Sequence, residues 1–293
     1  MPTVLDRAER AGQIRRVLLL VLWMNLAVIG VKLGVWALSH ALSVVAEMFH
    51  SSLDATNNLF ALALARVAAQ APDDDHPYGH QKFETLGALA LVGVLSITVF
   101  ELVQHAILRA IAGVYPPTDF SPWALALMGF SLMAGIAITR YESAAGRRLG
   151  SDLLIADAAH TRSDVLTTLA VLVGLVAIRL GYPVADPVAT IIVAVLIGHT
   201  GWEIVRQTVP VLVDSRAVDP AHIESLAREV QGVRSAYGIR SRGRHGERFA
   251  ELTIAVDASL DVAASHAMAD AVELRVATAL GARVVVVHVE PSD

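Results

Sequence analysis

The apolar residues of this chain come in six blocks, each long enough to cross a lipid bilayer. About 20 apolar residues in a helix span the roughly 30 Å hydrocarbon core. Blocks of that size fall at Val17–Leu38, Leu42–Ala65, Leu86–Leu108, Pro122–Thr139, Leu153–Ile178 and Ala185–Val205. Lipid cannot satisfy backbone N–H and C=O groups, so blocks of this kind fold as helices. Hydrophobic residues make up 55% of the chain and charged ones only 17%, a balance that departs from soluble globular proteins. From about Val209 the texture becomes charged and alternating, which reads as a soluble domain of about 85 residues. The expected class is a polytopic α-helical membrane protein, with six transmembrane helices over residues 1–208 and an α+β domain over 209–293.

Basic residues set the orientation. Arg7, Arg10, Arg15 and Arg16 precede the first block, Arg66 and Lys82 flank the second link, and Arg140, Arg147 and Arg148 lie between the fourth and fifth blocks. The opposite side has only Arg109 and Arg179. Both termini are therefore expected in the cytoplasm of a multi-pass inner (plasma) membrane protein. The polar, basic start and the length of the first apolar run do not suit a cleavable signal peptide. The net charge of −5 and the lack of a basic tract give no reason to expect nucleic-acid binding.

Two of the apolar blocks carry nearly the same polar sentence. Glu47-Met48-Phe49-His50-Ser51-Ser52-Leu53-Asp54 and Asp157-Ala158-Ala159-His160-Thr161-Arg162-Ser163-Asp164 both read acid-x-x-His-x-x-x-Asp. At about 100° per residue, positions i, i+3 and i+7 lie within roughly 60° of one another, so each block places two carboxylates and an imidazole on one helix face. Ionisable groups at membrane depth cost several kcal/mol each and usually line a pathway or bind something. A single buried His or Asp is explained by a satisfied hydrogen bond; two copies of the same pattern in separate spans call for a common ligand. His50, Asp54, His160 and Asp164 suffice for one tetrahedral metal ion.

The chain contains no cysteine, so imidazole and carboxylate are its strong metal ligands. Two Asp and two neutral His carry a formal charge of −2, which a divalent cation cancels. Two nitrogens and two oxygens suit Zn²⁺; Mg²⁺ and Ca²⁺ prefer six or more oxygens, while Mn²⁺, Fe²⁺ and Co²⁺ stay open. The imidazoles must be neutral to coordinate, so protons compete with metal. A site open in turn to two compartments of different pH would exchange one for the other. Glu47 and Asp157 either widen this sphere or bond to neighbouring helices. Asn25, Asn57 and Asn58 are read as helix–helix hydrogen-bonding residues, and Lys32 as snorkelling or ion-paired.

The loop Asp73-Asp74-Asp75-His76-Pro77-Tyr78-Gly79-His80 lies at the cytoplasmic side. Pro77 and Gly79 break a regular helix there and let two imidazoles and one carboxylate turn toward a common ion. The soluble domain reads as helix (Pro220–Val230), strand (Ser235–Ser241), strand (Phe249–Val256), helix (Val262–Leu280) and strand (Arg283–Glu290). Asp219-Pro220 and Asp261 serve as helix starts and Gly281 as a stop.

On these residues the chain resembles the cation diffusion facilitator family, and in particular its bacterial zinc- and iron-exporting members. The resemblance covers nearly the whole chain, including His76-Pro77-Tyr78-Gly79-His80 and Ala185-Asp186-Pro187. It implies a homodimer that exports divalent metal, Zn²⁺ first, by proton antiport through the site in spans two and five. Relatives with Asp at the position of His50 accept cadmium or iron as well, so His50 fits the zinc pattern, with Fe²⁺ a live alternative. The resemblance also implies a second metal site at Asp73, His76 and His80, and a ferredoxin-like αββαβ cytoplasmic domain with regulatory metal at Glu251, His266, His288 and Glu290. There this sequence departs from the zinc exporters, having Tyr237 and Thr253 where they often have His. A charge pair at the dimer interface maps to Lys82 and Asp214.

Two readings from other classes compete. A membrane metalloenzyme needs an open coordination position and a base, whereas four protein ligands close this site and there is no His-Glu-x-x-His. A metal sensor anchored by its spans has no use for ligands inside the membrane.

Overall fold

The computed structural model describes residues 7–39, 42–113, 122–182, 184–244 and 247–292. They divide into two compact units between Thr208 and Val209.

The first unit is helical: α1 (Arg7–Ser39), α2 (Leu42–Ala68), α3 (Lys82–Ala112), α4 (Pro122–Leu149), α5 (Asp152–Arg179) and α6 (Ala185–Leu212) as far as Thr208. Four stretches, Ala8–Ala37, Lys82–Ala112, Asp152–Ile178 and Ala185–Leu212, are long and apolar enough to cross a membrane. α2 and α4, of 27 and 28 residues, reach about 40 Å at 1.5 Å per residue. The helices outrun the apolar blocks because hydropathy marks only the part in hydrocarbon, while a helix continues until something stops it. α4 runs ten residues past Thr139 and ends at Gly150, whose φ of 59° is left-handed. Ser151 then caps α5, its side chain accepting from the Leu154 N–H. This two-residue connection makes α4 and α5 an antiparallel pair. Gly146 holds them close: a Cβ there would lie 3.0 Å from the Ile155 side chain and 3.1 Å from its backbone nitrogen.

At the basic end of the bundle, Arg10 of α1 clasps three partners. It pairs with buried Glu84 at 3.1 Å and donates to the carbonyls of Leu149 and Gly150. Lys32 does not snorkel. It is buried and donates to Ser51 Oγ at 2.8 Å, because the α1–α2 contact places a hydroxyl within its reach.

The second unit carries α7 (Pro220–Arg228), β1 (Ser235–Arg242), β2 (Arg248–Asp257), α8 (Val262–Leu280) and β3 (Ala282–Ser292). β1 pairs antiparallel with β2, and β2 pairs parallel with β3 across the α8 crossover. Asp219 and Asp261 accept from the N–H groups of Ala221 and Ala264, and Gly281 closes α8 at φ 59°. α7 stops at Arg228, short of Val230, because Glu229 and Val230 bond back to Leu226 and Ala227 in a tight turn. Gly238, at φ 63°, marks an irregularity in β1 between Tyr237 and Arg240. Ile223, Leu252, Ile254, Val272 and Val276 fill the core between sheet and helices. Ile254→Val is expected to cost about 0.5–1.5 kcal/mol, read as a lower unfolding midpoint of the full chain with metal binding in the membrane unit intact.

Candidate metal centre

Within the helical unit, Asp54 from α2 meets His160 and Asp164 from α5. One ligand atom from each lies within 4.8 Å of the others. His160 Nε2 is 3.7 Å from Asp54 Oδ1 and 4.0 Å from Asp164 Oδ2. Metal–ligand bonds of about 2.0–2.1 Å in a tetrahedron place donors about 3.3–3.4 Å apart. The two His160 distances exceed that spacing by well under 1 Å, a gap that side-chain rotation can close. His50 falls on α2 one turn before Asp54, and Glu47 precedes it; the side chains of both lie outside the described residues.

The surrounding shell is amide-rich. Asn57 Nδ2 lies 2.8 Å from His160 Nε2; in the tautomer whose Nε2 accepts from this amide, Asn57 occupies the Nε2 lone pair. A cation taking that lone pair must displace Asn57. His160 Nδ1 is buried and has no hydrogen-bond partner. Asn58 donates to Asp157 Oδ2 at 2.7 Å and accepts from Asn25. The three asparagines thus tie α1, α2 and α5 around the site, and Asp157 bonds a neighbouring helix without joining the ligand cluster. Sequence reasoning paired no asparagine with a particular partner, and it passed over Glu142, a buried residue on α4 beside Asp157. Its signal is faint: one carboxylate just past an apolar run reads as a surface charge.

The loop before α3 forms a second cluster of Asp73, His76 and His80. Asp73 Oδ1 accepts from the His76 backbone at 2.6 Å, and its Oδ2 is 3.3 Å from His80 Nε2. The His76 backbone N–H is the main reason that the Asp73 carboxyl titrates below its usual range, with the two imidazoles adding to the effect. The His80 ring is buried against Phe83, whereas Asp73 and His76 are exposed. Asp73, and not Asp74 or Asp75, is the carboxylate turned inward. Gly79, at φ 89°, makes the turn that brings His80 back.

The soluble unit does not bring its four candidates together as a ligand group among the described residues. Glu251 and His266 are exposed, with His266 3.9 Å from Asp270. His288 lies 3.5 Å from Glu290, and Tyr237 donates its hydroxyl to Glu290. Tyr237, Thr253 and His288 stand side by side across the three strands. The phenol thereby satisfies a carboxylate that a histidine would leave open to metal. Asp214, at φ 52°, pairs with Arg242 at 3.1 Å within its own unit.

An imidazole and carboxylates shared between two apolar helices, followed by a small α/β unit, define a membrane protein built to handle cations. The chain belongs to the cation efflux family, the cation diffusion facilitators: residues 18–213 match its transmembrane domain and 216–292 its cytoplasmic domain. It is 29% identical over 266 residues to an uncharacterised transporter of Methanocaldococcus jannaschii, covering 90% of this chain and 93% of that one. It is 28% identical to the magnetosome protein MamB of Magnetospira sp., covering 82% of each. It is 24% identical to the manganese efflux system protein MneS of Bacillus subtilis, covering 90% of each. The family consists of divalent-metal transporters, not enzymes.

Proposed function

We propose that the protein exports Zn²⁺ from the cytoplasm in exchange for protons, as a homodimer of six-span protomers in the inner membrane with both termini cytoplasmic. The observation that carries this reading is the meeting of Asp54, His160 and Asp164 between α2 and α5. His50, four residues before Asp54 on the same helical face, is the fourth ligand. Together they hold a divalent cation with no net charge left in the membrane, and the two-nitrogen, two-oxygen set is one that Zn²⁺ favours over harder ions. Small rocking of α2 against α5 opens the site to one side and then the other. Protons arriving from outside take the imidazole lone pairs and release the ion. Asp73, His76 and His80 form a second site at the cytoplasmic mouth. The ferredoxin-like αββαβ domain, residues 209–293, joins the protomers with Lys82 and Asp214 paired between them, and regulatory metal at Glu251, His266, His288 and Glu290 requires Glu290 to give up its hydrogen bond from Tyr237.

Mn²⁺ is the second reading, favoured by the name of the Bacillus subtilis relative. Flux into proteoliposomes holding a pH gradient, measured for Zn²⁺, Mn²⁺, Fe²⁺ and Cd²⁺, separates them. The expected result is Zn²⁺ flux that grows with the gradient. It should fall as the cytoplasmic face is acidified through the ordinary histidine range near pH 6.5, where protonated imidazole no longer binds. Faster flux with Mn²⁺ would change the cargo, and flux indifferent to the gradient would remove the antiport.

A further inference from the structure

Beside the metal centre lies a carboxyl pair that metal coordination does not use. Glu142 of α4 and Asp157 of α5 are 0% and 1% exposed, and their carboxyls face each other across the helix contact. Both Glu142 oxygens and Asp157 Oδ1 lack a hydrogen-bond partner; only Asp157 Oδ2 is satisfied, by Asn58. These three buried oxygens have no protein donor within reach among the described residues. Two carboxylates this close cannot both stay ionised away from water.

We propose that Glu142 and Asp157 hold one proton between them and release it when a divalent cation arrives at Asp54, His160 and Asp164. The inference rests on the proton-exchange reading above and names a proton carrier within it. Asp157 sits one helical turn from His160 on the same face of α5, and Asn58, which holds it, is next to Asn57, which holds His160. A dication at His160 makes a further positive charge beside Asp157 unfavourable, so the pair gives up its proton as metal binds. The ionisable groups that act on Asp157 are Glu142, Asp54 and His160, and the one that acts on Glu142 is Asp157. From α1 the network receives the uncharged amide of Asn25, and the buried Lys32 is engaged at Ser51. The balance is simple: one proton leaves the pair, and the pair goes from a formal −1 to −2 as the site gains +2.

The test uses the full chain in detergent, titrated with Zn²⁺ in weak buffer. Released protons are counted with a pH indicator, and the carboxylic C=O stretch is followed by infrared difference spectroscopy. The wild type is expected to lose a protonated-carboxyl band on Zn²⁺ addition. E142Q should lack that band and release about one proton fewer per metal, while still binding the same number of Zn²⁺ ions. Equal proton release by both proteins, or a band that ignores Zn²⁺, would overturn the role of the pair. So would the loss of one bound Zn²⁺ in E142Q, which would make the pair a metal ligand. A wild type that binds Zn²⁺ and releases no proton would instead overturn the antiport itself. The wild-type band needs no substitution, so the proposal stays open to refutation even if E142Q fails to fold.

Discussion

Asp54→Asn and Asp164→Asn are each expected to lower Zn²⁺ flux by at least about 100-fold and to weaken Zn²⁺ binding in step. Removing an outer-shell partner of a metal ligand typically costs 10–100-fold, and losing a ligand oxygen should exceed that. The amide is isosteric, so helix packing is undisturbed; the change is in charge and donor strength. A site of formal charge −2 becomes −1, and a bound dication leaves a net +1 inside the apolar bundle, the kind of charge a membrane interior disfavours. Asp54 and Asp164 stand on different helices and approach His160 Nε2 from 3.7 and 4.0 Å, so neither can cover for the other. Asn57→Ala is the contrast. Asn57 touches the imidazole and not the ion, so its loss frees a lone pair at a smaller cost in ring positioning. Calorimetry of the three variants, alongside flux, checks the ordering; equal losses in all of them would mean that the cluster serves packing instead of coordination.

The meeting of Asp54, His160 and Asp164 was legible in the sequence because its signal is local. A His-x-x-x-Asp pair is set by helical pitch alone, and an apolar setting makes each polar residue in it conspicuous. The soluble unit was legible for a similar reason: Asp219, Asp261 and Gly281 act on their own helix ends, and strand alternation is a two-residue rhythm. What the sequence hid was pairing across helices. Nothing local says that Asn57 will reach His160, that Asn58 will bridge Asn25 and Asp157, or that Glu142 will be buried against Asp157. Those contacts depend on which faces of α1, α2, α4 and α5 meet. Of the two readings for Lys32, snorkelling fails on the same account, since it presumes that nothing polar lies nearby, and the α1–α2 contact supplies Ser51. In the second unit, the family resemblance alone pointed to Glu251, His266, His288 and Glu290, and no local pattern indicated that the strand register would bring Tyr237 into line and give Glu290 a hydroxyl donor.

Arg109→Leu is expected to destabilise the helical unit by about 3–5 kcal/mol, because it strips the counter-ion from a buried carboxylate. Asp186, in the first turn of α6, is 2% exposed and pairs through Oδ2 with Arg109 Nη1 of α3 at 3.0 Å. Its other oxygen rests against α5, where a Cβ on Gly174 would stand 2.4 Å from Oδ1. One carboxylate thus joins three helices, and its position depends on a bare backbone on one side and a guanidinium on the other. The two partners are not equivalent. The Arg109 side chain is 34% exposed and can turn its head group to water when its partner is gone; Asp186 has no such escape. Asp186→Asn should therefore cost less than Arg109→Leu, and the double variant should recover most of the loss, as replacing both members of a buried pair often does. Gly174→Ala should fall between them, at about 1–3 kcal/mol of overpacking, by pushing Oδ1 away and loosening the pair without removing it. Unfolding midpoints of the full chain in detergent order the four proteins. If Asp186→Asn proved as damaging as Arg109→Leu, the carboxylate would be acting through more than its charge, for instance as the N-terminal partner of the α6 dipole.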